Sequence, residues 1–400
     1  MTSRADLIVV GAGLAGSATA WAASARGMSV VVLEAFGPGH RRGSSHGSAR
    51  IFRRAYPDPL YVRLAGQAEP LWRRLEAEAG ETLLQLTGGV DFSPLRDPVI
   101  MHEVLISCGV PVELITPDEA AERWPVISFD PPVGPVMFHA DAGVLDPDRA
   151  VAAMLRLAAA RGADVRFDTP VTHLESTAGG DGALVRTDSG TFTAPVAVVA
   201  AGAWLAPLLG DLVRLPPLTV TQEQAFHFAP RAAGTGGAPS AARPYGEDPW
   251  PIFIYRDAAS TFYGLPAGRD GEVPGAVKLG QHHAGPLTTA ASRDGVVDPA
   301  GRARAIAFAA SRLPGLDPHP VGEITCLYTT IVGEDFILDR HGPFVIASPC
   351  SGHGAKFAPL VGEIITGLAA GHPSQDPRFT LAAHLAGLAD ECPVELAIGR

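Results

Sequence analysis

The stretch Asp6-Leu-Ile-Val-Val-Gly-Ala-Gly-Leu-Ala-Gly16 decides the fold of this chain. A short apolar run comes first, three glycines follow, and small residues continue to Ala25. This order predicts a buried strand, a tight turn and a helix. Gly11 permits the turn, Gly13 allows a pyrophosphate to approach the backbone, and Gly16 allows the helix to pack closely on the strand. The N-terminus of the helix would then face the phosphates of a dinucleotide.

A second apolar run, Met28-Ser-Val-Val-Val-Leu-Glu34, ends in a carboxylate about 20 residues after the glycines. An acid at this place binds ribose hydroxyls and disfavours a ligand that carries a 2′-phosphate. The glycine pattern alone would be weak evidence, but its position between two apolar strands makes it specific. FAD and NAD are both compatible with these residues.

The composition indicates a large, acidic, globular protein. Its 400 residues, 46% of them hydrophobic, are enough for two or three domains with large cores. The net charge of −11 and the lack of Lys/Arg runs longer than a pair argue against a nucleic-acid partner. We find no signal peptide and no uncharged apolar run of about 18 residues, so we expect a cytoplasmic protein without a membrane partner.

The cysteines do not form a metal-binding pattern. They are Cys108, Cys326, Cys350 and Cys392, with no CxxC spacing, which is typical of a reduced intracellular chain. We therefore predict no metal site.

Strand and helix patterns recur further along the chain. They appear at 148–167 and again at 344–369, where a glycine-rich turn separates strand and helix. A stretch rich in Gly, Ala and Pro at 232–243 is expected to be a loop. The alternation of strands and helices predicts an α/β fold.

We predict two domains, of which the nucleotide-binding domain is discontinuous. It comprises 1–88, 146–218 and 326–400. Segments 89–145 and 219–325 are richer in proline, aromatic residues and alternating strand patterns. We assign these two segments to a β-rich substrate domain.

Motifs distributed along nearly the whole chain resemble the monomeric sarcosine oxidase and N-methyltryptophan oxidase family. They fall in the family's order, and their combination is far more specific than the glycine pattern alone. Besides the Gly-rich start, they are His46-Gly-Ser-Ala-Arg-Ile-Phe-Arg-Arg-Ala-Tyr56, Arg123-Trp-Pro125, Gly143-Val-Leu145, Lys278-Leu-Gly280, Cys326-Leu-Tyr-Thr329 and Ser351-Gly-His-Gly-Ala-Lys-Phe357. The resemblance implies a p-hydroxybenzoate-hydroxylase-like architecture, in which a Rossmann-like FAD-binding domain carries a β-rich substrate domain.

The resemblance also implies that FAD is attached covalently to Cys326 through its 8α-methyl group. A free cysteine that acts as a small hydrophobe is the usual alternative. Cys350, beside the glycine-rich turn, is a competing thiol. The motif favours Cys326.

By the same resemblance, Lys278 is a cation near flavin N5, where it would stabilise negative charge that develops on oxygen. Lys278 lies between apolar neighbours on a predicted strand, so a solvent-facing lysine on an edge strand is the alternative. Arg50 is expected to be a second cation on the flavin side, rather than an ordinary surface arginine.

The substrate carboxylate is expected to bind between Arg53 and Lys356, which would select α-amino acids over plain amines. Tyr263, His282 and Tyr328 are expected to line the active site, although each residue type also occurs as a satisfied core or rim residue. The residues assigned to the cofactor are Gly11, Gly13, Gly16, Glu34, Ser45, His46, Arg50, Val171, Cys326, Gly352, Gly354 and Lys356.

Four positions depart from the family's pattern: Ala49, Ile254, Leu265 and Ala355 stand where Thr, Met, an aromatic residue and Phe are usual. Because these changes alter or shorten side chains that the resemblance places around the flavin ring, we expect a substrate pocket roomier than one built for sarcosine. A bulkier N-methyl or cyclic amino acid is therefore as plausible a substrate.

The sequence thus predicts a monomeric FAD-dependent oxidase of secondary amino acids, which yields an imine and hydrogen peroxide. Oxygen and a small amino acid are its expected partners. A dehydrogenase with another electron acceptor and a flavin monooxygenase of similar fold are the alternatives. An NAD-dependent dehydrogenase would purify colourless, and a non-catalytic flavin-binding protein would not be reduced by any amino acid.

Overall fold

The computed structural model describes residues 2–231 and 250–390. The loop predicted at 232–243 and Cys392 lie outside these residues. The strands are β1 (Thr2–Arg4), β2 (Leu7–Val10), β3 (Val30–Leu33), β4 (Arg50–Phe52), β5 (Leu84–Leu86), β6 (Gly89–Phe92), β7 (Glu113–Ile115), β8 (Val136–His139), β9 (Gly143–Leu145), β10 (Asp164–Arg166), β11 (Val171–Ser176), β12 (Ala183–Thr187), β13 (Gly190–Ala194), β14 (Val196–Val199), β15 (Thr219–Pro230), β16 (Ile252–Arg256), β17 (Thr261–Pro266), β18 (Val277–Gln281), β19 (Leu316–Thr330), β20 (Ile337–His341) and β21 (Phe344–Ser348).

The α-helices are α1 (Leu14–Ala25), α2 (Pro59–Ala79), α3 (Asp97–Ser107), α4 (Pro117–Arg123), α5 (Pro147–Ala160), α6 (Leu205–Leu209), α7 (Pro299–Arg312), α8 (Ala358–Ala369) and α9 (Leu381–Asp390). Local signals set several of their ends. Asp58 caps α2 by accepting a hydrogen bond from Leu60 N at 2.8 Å, and Gly80 ends that helix in the left-handed conformation.

The molecule contains two large sheets. The first is a six-stranded sheet in the order β10-β3-β2-β14-β21-β20. Its strands are parallel except β20. The apolar runs predicted at both ends of the opening motif are thus neighbouring strands, buried on both faces, as near-continuous Val and Leu runs require.

Alternation along β2 shows what covers each face of this sheet. Leu7 and Val9 belong to one apolar cluster with residues of α1, α2, α5 and α8. Ile8 and Val10 belong to another, with residues of the four-stranded sheet β1-β13-β12-β11. Helices therefore pack on one face and a small sheet packs on the other.

The second large sheet has eight strands in the order β19-β15-β18-β17-β16-β6-β8-β7. One of its faces packs on α7, where Phe308 stacks on Phe262 with ring centroids 4.3 Å apart. Val277 and Leu279 of β18 point into this apolar cluster. Lys278, between them, must point to the opposite face.

Strand β19 pairs with β15 from Leu316 to Thr330, so it runs across the domain boundary that the sequence placed at 326. After Thr330 the chain continues to β20 of the six-stranded sheet. Among the described residues, no helix has the length and apolarity needed to cross a membrane.

Candidate active site

A cavity of about 1240 Å³ runs between the two large sheets. It is lined by the glycine turn after β2 and by the turn between β21 and α8. The loop 43–53, β17, β18 and β19 also line it.

The glycines of the opening motif are required by close backbone approaches. Gly11 has φ +96°, and a Cβ there would lie 2.5 Å from Ala200 O. A Cβ on Gly13 would lie 2.8 Å from Ser45 Oγ, and one on Gly16 would overlap Gly11 O. Gly13 thus leaves room for Ser45, whose Oγ accepts a hydrogen bond from Leu14 N at 3.0 Å at the N-terminus of α1, where a phosphate would bind.

Glu34 lies at the end of β3 and faces the same part of the cavity. Its two oxygens accept hydrogen bonds from Ala12 N at 2.7 Å and Phe36 N at 3.0 Å. Burial opposes ionisation, but His40 and the two N–H groups together hold the pKa of Glu34 below its ordinary value. An ionised carboxylate therefore stands where ribose hydroxyls are expected.

Two cationic side chains that line the cavity, Arg50 and Lys278, lie close to the same backbone carbonyl. The Arg50 guanidinium donates to the carbonyl oxygens of His46 at 2.7 Å, Ala49 at 2.9 Å and Ser44 at 3.2 Å. Lys278 is buried, and its Nζ donates to Ala49 O at 3.3 Å. Burial and the neighbouring Arg50 lower the pKa of Lys278 to about 7. Among the described residues, neither cation has a carboxylate within 4.0 Å.

His46 lies beside these cations with its imidazole buried. Neither ring nitrogen has a hydrogen-bond partner within the described part of the chain. Burial and the charge of Arg50 lower the pKa of His46 to about 3, so the ring is neutral. Buried polar atoms without partners are uncommon, and these two border a cavity large enough for a ligand that would satisfy them.

Cys326 is half-buried and faces the cavity from β19. The backbone carbonyls on either side of it are held: Arg293 donates to Thr325 O at 2.6 Å, and Ser44 Oγ donates to Leu327 O. Cys350 also lines the cavity, but burial raises the pKa of its thiol to about 11. The raised pKa makes Cys350 a poor nucleophile, since thiolates are the nucleophiles.

Arg53 and Lys356, which also line the cavity, have unlike partners. Arg53 Nη1 donates to the buried Asp91 carboxylate at 2.7 Å. Lys356 Nζ donates to Tyr56 Oη at 2.8 Å and to His353 O at 2.7 Å, both of them neutral acceptors. Burial, and then the charge of Arg53, hold the pKa of Lys356 well below its ordinary value.

The hydrogen bonds of His353 fix its tautomer. Nε2 lies 2.9 Å from Glu334 O, a carbonyl oxygen that can only accept, so Nε2 carries the proton. Burial lowers the pKa of His353 to about 4, which leaves Nδ1 free to accept from Tyr56 Oη at 3.1 Å. The oxygen of Tyr56 is then oriented to accept from Lys356.

Glycines also shape the aromatic wall of the cavity. A Cβ on Gly280 would collide with Tyr263 Oη, and one on Gly352 would collide with the ring of Tyr328. The same Cβ of Gly352 would lie 2.9 Å from His282 Cε1. These three side chains are therefore packed directly against backbone that has no side chain.

A polar cluster lies next to this wall. His283 Nε2 lies 2.9 Å from Glu334 Oε1, and the hydrogen bond to Glu334 raises the pKa of His283. Ligand atoms of His282, His283 and Glu334 lie within 4.8 Å of one another. Burial lowers the pKa of His282 to about 3, so its ring stays neutral beside the ion pair.

The structure brings together nearly all the residues that the sequence assigned to the site. Gly16 packs under the glycine turn instead of lining the cavity. The lining residues are Gly11, Gly13, Glu34, Ser45, His46, Arg50, Arg53, Val171, Tyr263, Lys278, His282, Cys326, Tyr328, Gly352, Gly354 and Lys356.

Sequence reasoning missed the partners of these residues, namely Tyr56, Asp91, His139, His283 and Glu334. Asp91 could have been found, because an acid inside the buried strand Gly89–Phe92 needs a cation nearby. A second signal was also present. The sequence contains only two lysines, Lys278 and Lys356, among 31 basic residues, and both are buried beside this cavity.

The residues fit FAD. Gly11, Gly13 and Glu34 would hold its dinucleotide end, and the unpartnered nitrogens of His46 together with Arg50 and Lys278 provide polar contacts for an electron-rich ring. The cavity is continuous between these two groups of residues.

Comparison with known proteins agrees with this geometry. A family model described as FAD dependent oxidoreductase matches residues 6–368. Monomeric sarcosine oxidase from Streptomyces avermitilis is 36% identical over 400 aligned residues, which cover 96% of this chain and 100% of that protein. N-methyl-L-tryptophan oxidase from Yersinia pestis is 33% identical over 383 residues, which cover 92% of this chain and 96% of that protein.

Solved structures show the same architecture. NikD, described as an unusual amino acid oxidase essential for nikkomycin biosynthesis, superposes with a TM-score of 0.78 at 26% identity, covering 94% of this chain and 96% of NikD. L-Proline dehydrogenase from P. horikoshii shares the fold, with a TM-score of 0.79 at 20% identity, covering 97% and 99% of the two chains. The predicted two-domain α/β fold and the predicted family resemblance are confirmed.

Proposed function

The chain belongs to the FAD dependent oxidoreductase family, and from this premise we propose that it oxidises secondary amino acids, either N-methylated or cyclic, with oxygen as the acceptor. The products would be an imine, which water hydrolyses, and hydrogen peroxide. The observation that carries the proposal is that one cavity joins a dinucleotide turn to two buried lysines at separate places.

Bound FAD would accept a hydride equivalent from the substrate carbon and pass the electrons on to oxygen. The protein residues have other tasks. Lys356 and Arg53 would bind the substrate carboxylate, and the surrounding Tyr263, His282 and Tyr328 would orient the amine and exclude water.

The protonation states favour this division of tasks. His282 is neutral, so one of its ring nitrogens can accept a hydrogen bond from the amine. Lys278, whose pKa is about 7, is buried beside Arg50 and would stabilise negative charge that develops on oxygen. We assign no general base, because a neutral secondary amine can deliver the hydride equivalent without one.

The side chains at four positions support a substrate bulkier than sarcosine. Ala49, Ile254, Leu265 and Ala355 all border the cavity. They are aliphatic where the related family has a hydroxyl, thioether or aromatic group. We expect N-methyl derivatives of larger amino acids and cyclic imino acids to be better substrates than sarcosine.

The test is a peroxide-release assay with the purified protein and a panel of such amino acids, each paired with its decarboxylated amine. Peroxide formation with an amino acid, and little with its amine, supports the proposal. Flavin reduction without peroxide in the presence of oxygen would indicate a dehydrogenase with another acceptor.

We also propose that the flavin is attached covalently to Cys326. Acid precipitation of the protein should leave the yellow colour in the pellet, and Cys326→Ala should release it to the supernatant. Cys350→Ala is the matched control, because the Cys350 thiol lines the same cavity but has its pKa raised to about 11. Colour in the wild-type supernatant would refute the covalent link without refuting FAD binding.

A cytoplasmic location and a monomeric state remain predictions. Cell fractionation and light scattering of the purified protein would test them separately.

A further inference from the structure

A buried carboxylate lies directly behind one of the two cations at the substrate end. Asp91 belongs to β6 of the eight-stranded sheet, is 4% exposed, and does not line the cavity. One oxygen accepts from Arg53 Nη1 at 2.7 Å, and the other lies 3.3 Å from His139 Nε2. Both carboxylate oxygens are therefore occupied.

The surrounding backbone makes room for this arrangement. His139 of β8 is 2% exposed, and a Cβ on Gly89 would lie 2.7 Å from its Nε2 and 2.7 Å from the Cβ of Ala142. A side chain at position 89 would displace the imidazole from Asp91. Gly89 therefore makes room for His139, and His139 contacts the carboxylate that binds the Arg53 guanidinium.

Only one edge of Arg53 is used by Asp91. A guanidinium has five N–H donors on three nitrogens, and Nη1 is the nitrogen that donates to the Asp91 carboxylate. Among the described residues, the other donors of Arg53 make no hydrogen bond to protein, although the side chain lines the cavity. Its Cζ lies 5.7 Å from the ring centroid of Tyr56. One edge is thus fixed, and the other is available to a ligand.

The charges at this end agree with a ligand that carries one negative charge. Asp91 compensates Arg53, whereas the partners of Lys356 are neutral. The net charge of the three groups is one positive charge when Lys356 is protonated. A single substrate carboxylate would match that charge and use the free edge of Arg53.

We propose that Asp91, supported by His139, is a positioning residue that holds Arg53 with one edge directed to the substrate carboxylate. This inference rests on the proposed function, because it assumes a substrate with a carboxylate. It assigns Asp91 no contact with the substrate and no part in electron transfer.

The test compares benzoate with uncharged benzamide as ligands of the oxidised flavoprotein, with flavin absorbance and thermal stabilisation as readouts. Asp91→Asn should weaken benzoate binding about 10-fold or more, as expected for a misplaced hydrogen bond to a charged group, and change benzamide binding less than about 2-fold. His139→Gln should act in the same direction with a smaller effect.

The chain offers a matched control in the next arginine. Asp141 lies 3.8 Å from Arg54 Nη1, in a half-exposed pair. Asp141→Asn removes the same charge close by in the fold and should leave benzoate binding unchanged. An equal change of benzoate affinity in Asp91→Asn and Asp141→Asn would overturn the proposal, because the loss of one negative charge would then explain the effect.

The remaining outcomes also decide the matter. If Asp91 only neutralises Arg53, Asp91→Asn adds a net positive charge and benzoate binds more tightly, which overturns the proposal. Equal weakening of benzoate and benzamide shows a merely structural role and also overturns it. If Asp91→Asn does not fold, an unchanged benzoate affinity of His139→Gln overturns the proposal.

Failure of the proposed function would be distinguishable. A protein that no amino acid reduces, but that binds benzoate through Arg53 and loses it in Asp91→Asn, would retain the positioning role and lose the oxidase. A wild-type protein with no preference for benzoate over benzamide would lack the carboxylate site altogether, and the positioning role would fall with it.

Discussion

The two lysines occupy different regions of one cavity, and their surroundings differ in a way that separates two tasks. Lys278 lies with Arg50 beside the neutral His46, and its hydrogen bond goes to a backbone carbonyl. Lys356 lies in the region proposed to bind the substrate, beside an arginine that a buried carboxylate compensates. The first region carries two cations without a contacting carboxylate among the described residues, and the second carries two cations and one anion.

This difference indicates what each region receives. Burying an uncompensated cation is costly, so the Lys278 region is suited to a partner that is electron-rich or becomes negative during the reaction. The Lys356 region is suited to a ligand with one carboxylate.

The largest effect is expected for Lys278→Met. Reoxidation of the reduced enzyme by oxygen should slow about 10²-fold or more, as when a preorganised electrostatic contact to developing charge is lost. Anaerobic reduction by substrate should change only a few-fold. Stopped-flow absorbance of the two half-reactions measures both rates, and equal losses in the two would remove the contrast.

Lys356→Met should have the complementary effect. Loss of a charge-assisted hydrogen bond to the substrate carboxylate should lower kcat/KM for amino acids about 10- to 100-fold. The decarboxylated amine should react at nearly the wild-type rate, and so should oxygen with the reduced enzyme. A parallel loss with the amine would contradict carboxylate binding at this end.

The titration of Lys278 offers a third test, in flavin-free protein. The pKa of Lys278 is about 7 in the folded chain and near 10.5 for an ordinary lysine, so between these values the unfolded state binds more protons. Stability should therefore rise with pH through this window, and the buried charge should be most destabilising below pH 7.

Lys278→Met should accordingly raise the melting temperature most at pH 6, with the advantage shrinking toward pH 10. Selective ¹³C labelling of lysine would report the titration directly, because the sequence supplies only two signals to assign. A Lys278 signal that titrates near pH 10 would show that the site does not lower the pKa of this lysine.

The smallest effect is expected at the His283–Glu334 pair. The hydrogen bond to Glu334 raises the pKa of His283. The ion pair is therefore present while His283 is protonated and is lost as the pH rises through this raised pKa. Because both side chains are partly exposed, His283→Gln should change KM by no more than about 3-fold. It should also remove any pH dependence of KM that the pair causes, which steady-state kinetics from pH 5 to 9 would show.

The nucleotide half of the fold could be predicted closely from sequence because its signals are local. The glycine turn, the apolar strands and the acid at Glu34 follow one another within a single αβ unit. The helix and strand predicted within 148–167 are α5, Pro147–Ala160, and β10, Asp164–Arg166, and the predicted lysine strand is Val277–Gln281.

The substrate end could be predicted only in part, since its contacts join distant segments. Arg53 and Asp91 are 38 positions apart, and Tyr56 and Lys356 are 300 apart. Motifs identified the cations but not their partners, because pairing depends on how β6, β8 and the loop after β4 meet in space. The boundary at 326 illustrates the same limit: β19 is one continuous strand there.

The most direct test of the account is anaerobic addition of an N-methyl amino acid to the purified yellow protein, followed by oxygen. We expect the flavin to bleach with the amino acid alone, to recover its colour when oxygen is admitted, and to release one peroxide for each flavin reoxidised. Bleaching by NADPH but by no amino acid would contradict it and would favour a flavin monooxygenase.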